Sequence, residues 1–320
     1  MAPKPDNRPS AVFLMGATAT GKTALACTLA EQFPLGLVSV DSALVYRGLD
    51  IGTAKPDAAT LARHPHRLIG IRDPAEPYSA AEFRTDALAA MDEIAREGRI
   101  PLLVGGTGLY FRALASGLSD LPEASPELRA RIAGEAATIG WPALHARLRA
   151  LDAPAAERIR PGDAQRIQRA LEIIELTGRP LSAQIGGAPS RPPWRILKLA
   201  LVPRERTGLH ARIARRFDAM LADGFLDEVR ALRARGNLHA DLPALRAVGY
   251  RQAWEHLEGA SDAPTFRERA IFATRQLAKR QTTWLRSELD ARWFDPDDGE
   301  SGTRTAEAVA AFLGSNVVNS

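Results

Sequence analysis

The chain has 320 residues, a length that at ~150 residues per domain suggests about two domains. Hydrophobic residues make up 45% and charged residues 25%, so a disordered chain, a fibrous repeat and a disulfide scaffold are all poor fits. The lone cysteine, Cys27, allows no internal disulfide and no four-thiolate zinc module, and a formal net charge of +4 is too small to define a partner by itself.

Residues 1–10 (MAPKPDNRPS) are polar and proline-rich and lead into a short apolar run broken by glycine. Neither a signal peptide nor a membrane span is expected, and a cytoplasmic protein is. The first half then alternates strand and helix patterns, the mark of a parallel α/β sheet. Residues 11–17 (AVFLMGA) read as a buried strand, 23–33 (TALACTLAEQF) as a helix, 37–41 (LVSVD) as a second strand stopping at an acid, and 66–71 (HRLIGI) as a third. Residues 79–98 carry an amphipathic helix pattern, with Ser79 as N-cap, Glu82 completing a capping box and Gly98 beyond the end. Residues 99–106 (RIPLLVGG) are another buried strand ending in glycines.

Beyond residue 118 the strand signals stop. Residues 125–178 give only helical patterns, with Pro126 at a first helical position and Gly178 closing the last helix before Pro180. A loop rich in Gly, Pro and Ser (186–193) separates them from a strand at 194–202 (WRILKLALV). The economical architecture is an α/β core, 9–118 with 194–298, interrupted by an all-helical insertion at 119–193 and followed by a polar, frayed tail at 299–320. The rest of the core reads as helical until 291–295 (ARWFD). Within 266–286, Phe266, Ala270, Ala273, Leu277 and Trp284 share one helical face, while Arg275, Lys279 and Arg286 share the opposite one.

The charge is unevenly distributed. Residues 1–150 hold 16 basic and 16 acidic residues, so the whole excess lies in the second half. There, 195–216 holds seven basic residues against Glu205 alone, and 287–307 holds seven acids against Arg292 and Arg304. A basic stretch of this kind is either a solvated surface or a polyanion-binding one.

Gly16, Ala17, Thr18, Ala19, Thr20, Gly21, Lys22 and Thr23 spell a complete G-x-x-x-x-G-K-[ST] loop between a predicted strand and a predicted helix, the context that such a phosphate loop requires. Its backbone N–H groups and the helix N-terminus favour phosphate oxygens, Lys22 neutralises their charge, and Thr23 offers a hydroxyl to Mg²⁺. The fold class is therefore a P-loop NTPase-like parallel sheet with a helical insertion. No acid follows the strand at 99–106 to hold the magnesium of a nucleotide hydrolase, and no Asn-Lys-x-Asp guanine reader is present. The nearest acid is Asp41, at the carboxyl end of the second strand, where open parallel sheets bind ligands. It is either a proton acceptor or the cap of the following turn. Residues 105–110 (GGTGLY) reach the same edge. They offer close backbone approach to a ligand and the hydroxyl of Thr107, or simply a tight turn.

Six segments carry a resemblance: GATATGKT, DSALVYRGLDIGTAKP (41–56), VGGTGLYFRAL (104–114), GDAQRIQRALEI (162–173), LRAVGYRQ (245–252) and ATRQLAKRQTTWLR (273–286). In this order they resemble the signature blocks of the tRNA dimethylallyltransferase family. That family's loop usually reads Gly-Pro-Thr-Ala-Ser-Gly-Lys-Thr, so Ala17 and Thr20 depart from it without disturbing the backbone cradle. Some eukaryotic relatives carry a C-terminal zinc module, and one cysteine excludes a cysteine-based one here. The resemblance implies transfer of a dimethylallyl group from dimethylallyl diphosphate to N6 of adenosine 37 in tRNAs reading codons that begin with U. Residues 16–23 would then hold the donor's diphosphate, with Lys22 and Mg²⁺ on Thr23 stabilising it as it leaves. Asp41 would take the amine proton, and Thr107 would sit beside the reacting groups. For tRNA the resemblance implies Asp41, Ser42, Ala43 and Leu44; Arg129; Gln165, Arg166, Ile167, Gln168 and Arg169; Arg246, Ala247, Val248, Gly249, Tyr250 and Arg251; and Lys279, Arg280, Gln281, Thr282, Thr283, Trp284, Leu285 and Arg286. The target base must leave its stack to react, and the insertion is expected to close over the anticodon loop as a clamp. A monomer is expected. An ATP-dependent small-molecule or nucleoside kinase also accounts for the loop and Asp41, but not for the Gln-Ile-Gln block. A non-enzymatic RNA-binding protein leaves the loop unused. His64 and His66, around Pro65, read as loop surface rather than metal ligands.

Overall fold

The structure, a computed structural model, describes residues 8–185 and 193–314. Most of the Gly/Pro/Ser loop at 186–193, the first seven residues and residues 315–320 lie outside them. The chain divides into two compact units, one comprising Met1–Ala115 and Pro192–Ser320 and the other Ser116–Arg191.

In chain order the first unit begins with β1 (Ser10–Gly16), α1 (Lys22–Gln32), β2 (Leu35–Val40), α2 (Ala58–Arg63), β3 (His66–Arg67), α3 (Ala80–Arg96), β4 (Ile100–Gly105) and α4 (Gly108–Ser116). The second unit contains α5 (Pro126–Ile139), α6 (Trp141–Leu151), α7 (Ala153–Arg158) and α8 (Ala164–Thr177). The first unit resumes with β5 (Arg195–Leu201), α9 (Arg206–Ala222), α10 (Phe225–Ala234), α11 (Tyr250–Leu257), α12 (Ala263–Leu285), β6 (Arg292–Phe294) and α13 (Ser301–Gly314). Its six strands form one sheet in the order β3-β2-β4-β1-β5-β6, and every pairing is parallel.

Helices cover both faces, which explains why β1 is apolar without alternation. Ala11, Phe13 and Met15 point into one core with Phe83 of α3, Phe111 of α4 and Phe217 of α9. Val12 and Leu14 point into the other with Ala26 and Leu29 of α1 and Ala308 and Val309 of α13. Each such large side chain contributes roughly 1.5–3 kcal/mol through burial. The start of α3 follows the sequence pattern: Ser79 Oγ accepts the Glu82 N–H at 3.1 Å, and Glu82 Oε2 accepts the Ser79 N–H at 2.8 Å.

Four expectations are corrected. The third strand pairs only through His66 and Arg67, because Leu68 and Gly70 turn into the left-handed region at φ 66° and 63°. Helix does not run through 236–249, where turns separate α10 from α11. The expected polar tail contains α13, whose Thr305, Ala308 and Val309 are buried against the sheet. On α12 the buried residues are Phe266, Ala270, Ile271, Ala278 and Leu285. Lys279 and Arg286 are exposed as expected, but Arg275 is partly covered and its Nε is buried.

In the second unit, α5, α6 and α8 pack around Ile132, Leu144, Leu148, Ile167 and Leu171. Glu172, 0% exposed, accepts two guanidinium bonds from Arg129 (2.9 and 3.1 Å), one from Arg169 (2.6 Å) and the Ser125 N–H (2.8 Å). Burial pushes its pKa up, but the two guanidiniums and the amide outweigh that and hold it below the ordinary glutamate value. Arg131 and Arg147 each bridge Glu135 and Glu175.

Candidate active site

Strand β1 ends at Gly16 and α1 begins at Lys22, so residues 17–21 turn between a buried strand and a helix N-terminus. Gly21 takes φ 79°, a conformation that glycine adopts without a Cβ penalty. Ala19 is also left-handed, at φ 63°, and needs outside support. The Thr20 hydroxyl and the Lys22 ammonium both donate to the Ala17 carbonyl, at 2.8 and 2.6 Å. Thr20, one of the two departures from the family's loop, thus fastens the turn internally. Burial lowers the Lys22 pKa to about 8; Asp41 pulls it back up, and Arg216 adds to the depression. Thr23 is exposed at the start of α1.

The loop lines a cavity of about 560 Å³ that also receives Asp41, Leu44, Thr53, Arg212, Arg216 and Gln281. Asp41 lies just past β2, where its Oδ1 accepts the N–H groups of Ala43 (2.8 Å) and Leu44 (3.2 Å). Its Oδ2 has no hydrogen-bond partner among the described residues. One oxygen caps the turn while the other is available, so the two readings of Asp41 are compatible. Thr107, between β4 and α4, accepts the Ser42 N–H on its hydroxyl at 3.2 Å, which ties it to the Asp41 turn. The glycines beside it serve helix packing. A Cβ on Gly106 would stand 2.3 Å from Gln281 Nε2, and one on Gly108 would stand 2.3 Å from the Trp284 ring.

The residues that resemblance associates with tRNA separate into three groups. Lys279, Arg280, Thr283 and Arg286 are exposed, and none of the three cations has an ion-pair partner among the described residues. Arg246 and Arg251 are exposed beside Asp241 and Glu255, while Gln165 and Arg166 are exposed at the start of α8. Ser42 is exposed, and Ala43, Leu44, Ala247, Val248 and Gly249 line the cavity.

The third group is buried or bonded within the fold. Ile167, Tyr250 and Leu285 are 0%, 0% and 1% exposed, so their side chains are core. The Tyr250 hydroxyl donates to Glu228 at 2.5 Å, and Glu228 also accepts the N–H groups of Asp50, Ile51 and Gly52. Burial and Glu228 drive the Tyr250 pKa far upward. Trp284 stacks on Phe111 at 6.0 Å. Gln281 accepts the Thr18 N–H at 2.9 Å and donates to the Gly106 carbonyl at 3.0 Å, so it joins the phosphate loop to the β4–α4 turn. The Thr282 hydroxyl donates to Ala278 within its own helix. Gln168 donates to the Arg129 carbonyl at 2.8 Å, and Arg129 and Arg169 are tied to Glu172.

The sequence did not single out Arg212 and Arg216 as site residues. On α9 they are four apart and interleave with the buried Ile213 and Phe217. Arg216 donates to the Thr18 hydroxyl at 2.5 Å, and Arg212 Nε donates to the Ala19 carbonyl at 3.0 Å. The available signal was this i, i+4 pair within the basic stretch. Among the described residues no group of three His, Cys, Asp or Glu side chains could hold a metal ion, and His64 pairs with Glu31.

Fold and site define a phosphate-loop α/β protein in which an anion cradle, a carboxylate and two arginines face one cavity. A family model described as IPP transferase matches residues 44–288. The tRNA dimethylallyltransferase of Alkalilimnicola ehrlichii is 61% identical over 95% of this chain and 96% of its own length, and that of Thiobacillus denitrificans is 60% identical over 96% and 98%. The crystal structure of the tRNA isopentenylpyrophosphate transferase of Bacillus halodurans superposes with a TM-score of 0.71 at 35% identity, covering 96% of this chain and 97% of that one. A eukaryotic dimethylallyltransferase captured acting on tRNA gives 0.81 at 25% identity, covering 96% and 80%. The chain belongs to the tRNA dimethylallyltransferase family and is a transferase. The kinase reading is not favoured.

Proposed function

We propose that this protein transfers the dimethylallyl group of dimethylallyl diphosphate to N6 of adenosine 37 in tRNAs reading codons that begin with U, releasing diphosphate. Transfer of dimethylallyl to tRNA follows from family membership; the donor, the acceptor atom and its position are the finer reading. The observation that carries it is the shared cavity, in which the phosphate loop, Arg212 and Arg216 face a carboxylate with one uncommitted oxygen.

The loop's N–H groups, Lys22 and the two guanidiniums would hold the diphosphate, whose negative charge grows as the allylic carbon–oxygen bond breaks. The adenine amine forms the new carbon–nitrogen bond, and Asp41 Oδ2 takes its proton. Thr107 and the two turn amides fix the carboxylate's position. Mg²⁺ fits these residues as a partner of the substrate rather than of a protein cage, since it is usually held by few protein oxygens and by substrate phosphates. Thr23, exposed at the N-terminus of α1, would hold it, and the ion would neutralise part of the leaving group's charge.

Lys279, Arg280 and Arg286, exposed and without ion-pair partners among the described residues, support a tRNA-facing surface on α12; Gln165 and Arg166 are exposed at the start of α8 in the second unit. The test is an assay with purified protein, Mg²⁺, labelled dimethylallyl diphosphate and unmodified tRNA. Label transfer to tRNA is expected, and Asp41→Ala should abolish it while tRNA binding persists. A near-normal rate in that variant would remove Asp41 as the proton acceptor.

A further inference from the structure

The basic stretch at 195–216 and the acidic segment at 287–307 were left as separate features by the sequence, and in the structure they meet. Lys198 pairs with Glu288 (2.7 Å) and Asp290 (3.0 Å), Arg204 with Asp295 (3.7 Å), and Arg212 with Asp297. The last of these pairs differs in kind, because Arg212 is also bound to the phosphate loop. Its Nη1 donates to Asp297 and its Nε to the carbonyl of Ala19, the left-handed alanine. Its Nη2 is buried without a hydrogen-bond partner among the described residues, and other parts of Arg212 line the cavity. All three nitrogens of one planar group are thus placed: one on the acidic segment, one on the strained loop residue, and one uncommitted.

We propose that Asp297 is a positioning residue for the phosphate loop, acting through Arg212. The guanidinium is rigid and planar, so a carboxylate on Nη1 fixes the direction of the other two donors. Nε then holds the Ala19 carbonyl, which helps keep a non-glycine residue at positive φ and so keeps the loop in shape for the donor's diphosphate. Without Asp297 the side chain regains rotamer freedom, and the loop loses a support that its own sequence does not provide. The acidic segment, which carries the wrong charge to bind either a diphosphate or an RNA, thereby serves a diphosphate site. This proposal rests on the donor reading given above.

The test uses the full-length protein in the label-transfer assay, with KM measured separately for dimethylallyl diphosphate and for tRNA and with inorganic pyrophosphate as a competing ligand. Because the pair is partly exposed, Asp297→Asn should raise the dimethylallyl diphosphate KM and the pyrophosphate inhibition constant by about fivefold and leave the tRNA KM unchanged. Asp297→Glu should restore most of the loss. In an Arg212→Lys background, Asp297→Asn should add no further loss, since the coupling would already be gone. The proposal is overturned by an unchanged donor KM, by additive losses in the double variant, or by a lowered melting temperature with both KM values shifting together. A wild-type protein that transfers no label overturns the donor reading and this proposal with it. Wild-type transfer with an unaffected Asp297→Asn variant overturns this proposal alone.

Discussion

The arginines at the cavity and those of the second unit's buried network are used in opposite ways. In the second unit Arg129 and Arg169 close on the buried Glu172, and Arg131 and Arg147 share Glu135 and Glu175. At the cavity, among the described residues, Arg216 hydrogen-bonds only a threonine hydroxyl, and Arg212 keeps one nitrogen without a hydrogen-bond partner beside a half-buried lysine of lowered pKa. A saturated charge network stabilises its own fold. An unsaturated one, held in place by packing, is the arrangement that the proposed diphosphate site requires.

The strongest way to break this contrast is to remove the cavity's lysine. Lys22→Ala should lower label transfer by about 10³-fold or more, because charge on the leaving group loses the loop's own cation, while thermal unfolding changes little. If unfolding changed more than transfer, the cavity cations would be structural. The converse experiment is Glu172→Gln in the second unit. It leaves two guanidiniums around a neutral, buried amide and should destabilise the protein by about 3 kcal/mol in chemical denaturation. Pyrophosphate affinity should stay at the wild-type value, and a parallel loss of that affinity would contradict the division of roles.

The smallest expected effect is a pH dependence. With its pKa near 8, Lys22 loses its charge as pH rises through that value, so the ratio of wild-type to Lys22→Ala pyrophosphate affinity should fall between pH 7.5 and 9. Calorimetric titration of both proteins checks it, and a flat ratio would mean that the lysine keeps its proton. The stability term has the opposite sign. The unfolded chain holds this proton up to the ordinary lysine value of 10.5, so the depressed group contributes rising stability from about pH 8 to pH 10.5.

The contrast also explains what could be read along the chain. The turn at 16–23 was legible because its motif is defined by backbone geometry, and the residues that permit it are consecutive. Asp41 was legible because a strand end in a parallel sheet is a ligand edge whatever follows. Trp284 was legible on the packing face of α12, but Gln281 was not, since it sits between Arg280 and Arg286 in a stretch that reads as basic. Only packing shows that Gln281 bonds Thr18 and Gly106 while Lys279 and Arg280, two residues and one residue before it, are exposed. Tyr250 and Ile167 were misread for the same reason: a block resembling a family carries core and surface positions together. The tail was misread as polar because Thr305, which looks solvated, satisfies its hydroxyl on the Ser301 carbonyl at 2.6 Å and buries with Ala308 and Val309.

The sequence by itself determined the parallel α/β class, the helical interruption, the strand-to-helix turn at 16–23 and the acid that shares its cavity. These follow from local periodicity, turn chemistry and strand-end geometry, each confined to about twenty neighbouring residues. Tertiary structure alone decided which arginines reach the cradle, and that the acidic segment pairs with the basic stretch. Those contacts join residues 85 to 198 positions apart, and a charge read in sequence carries no information about which distant partner will desolvate or neutralise it.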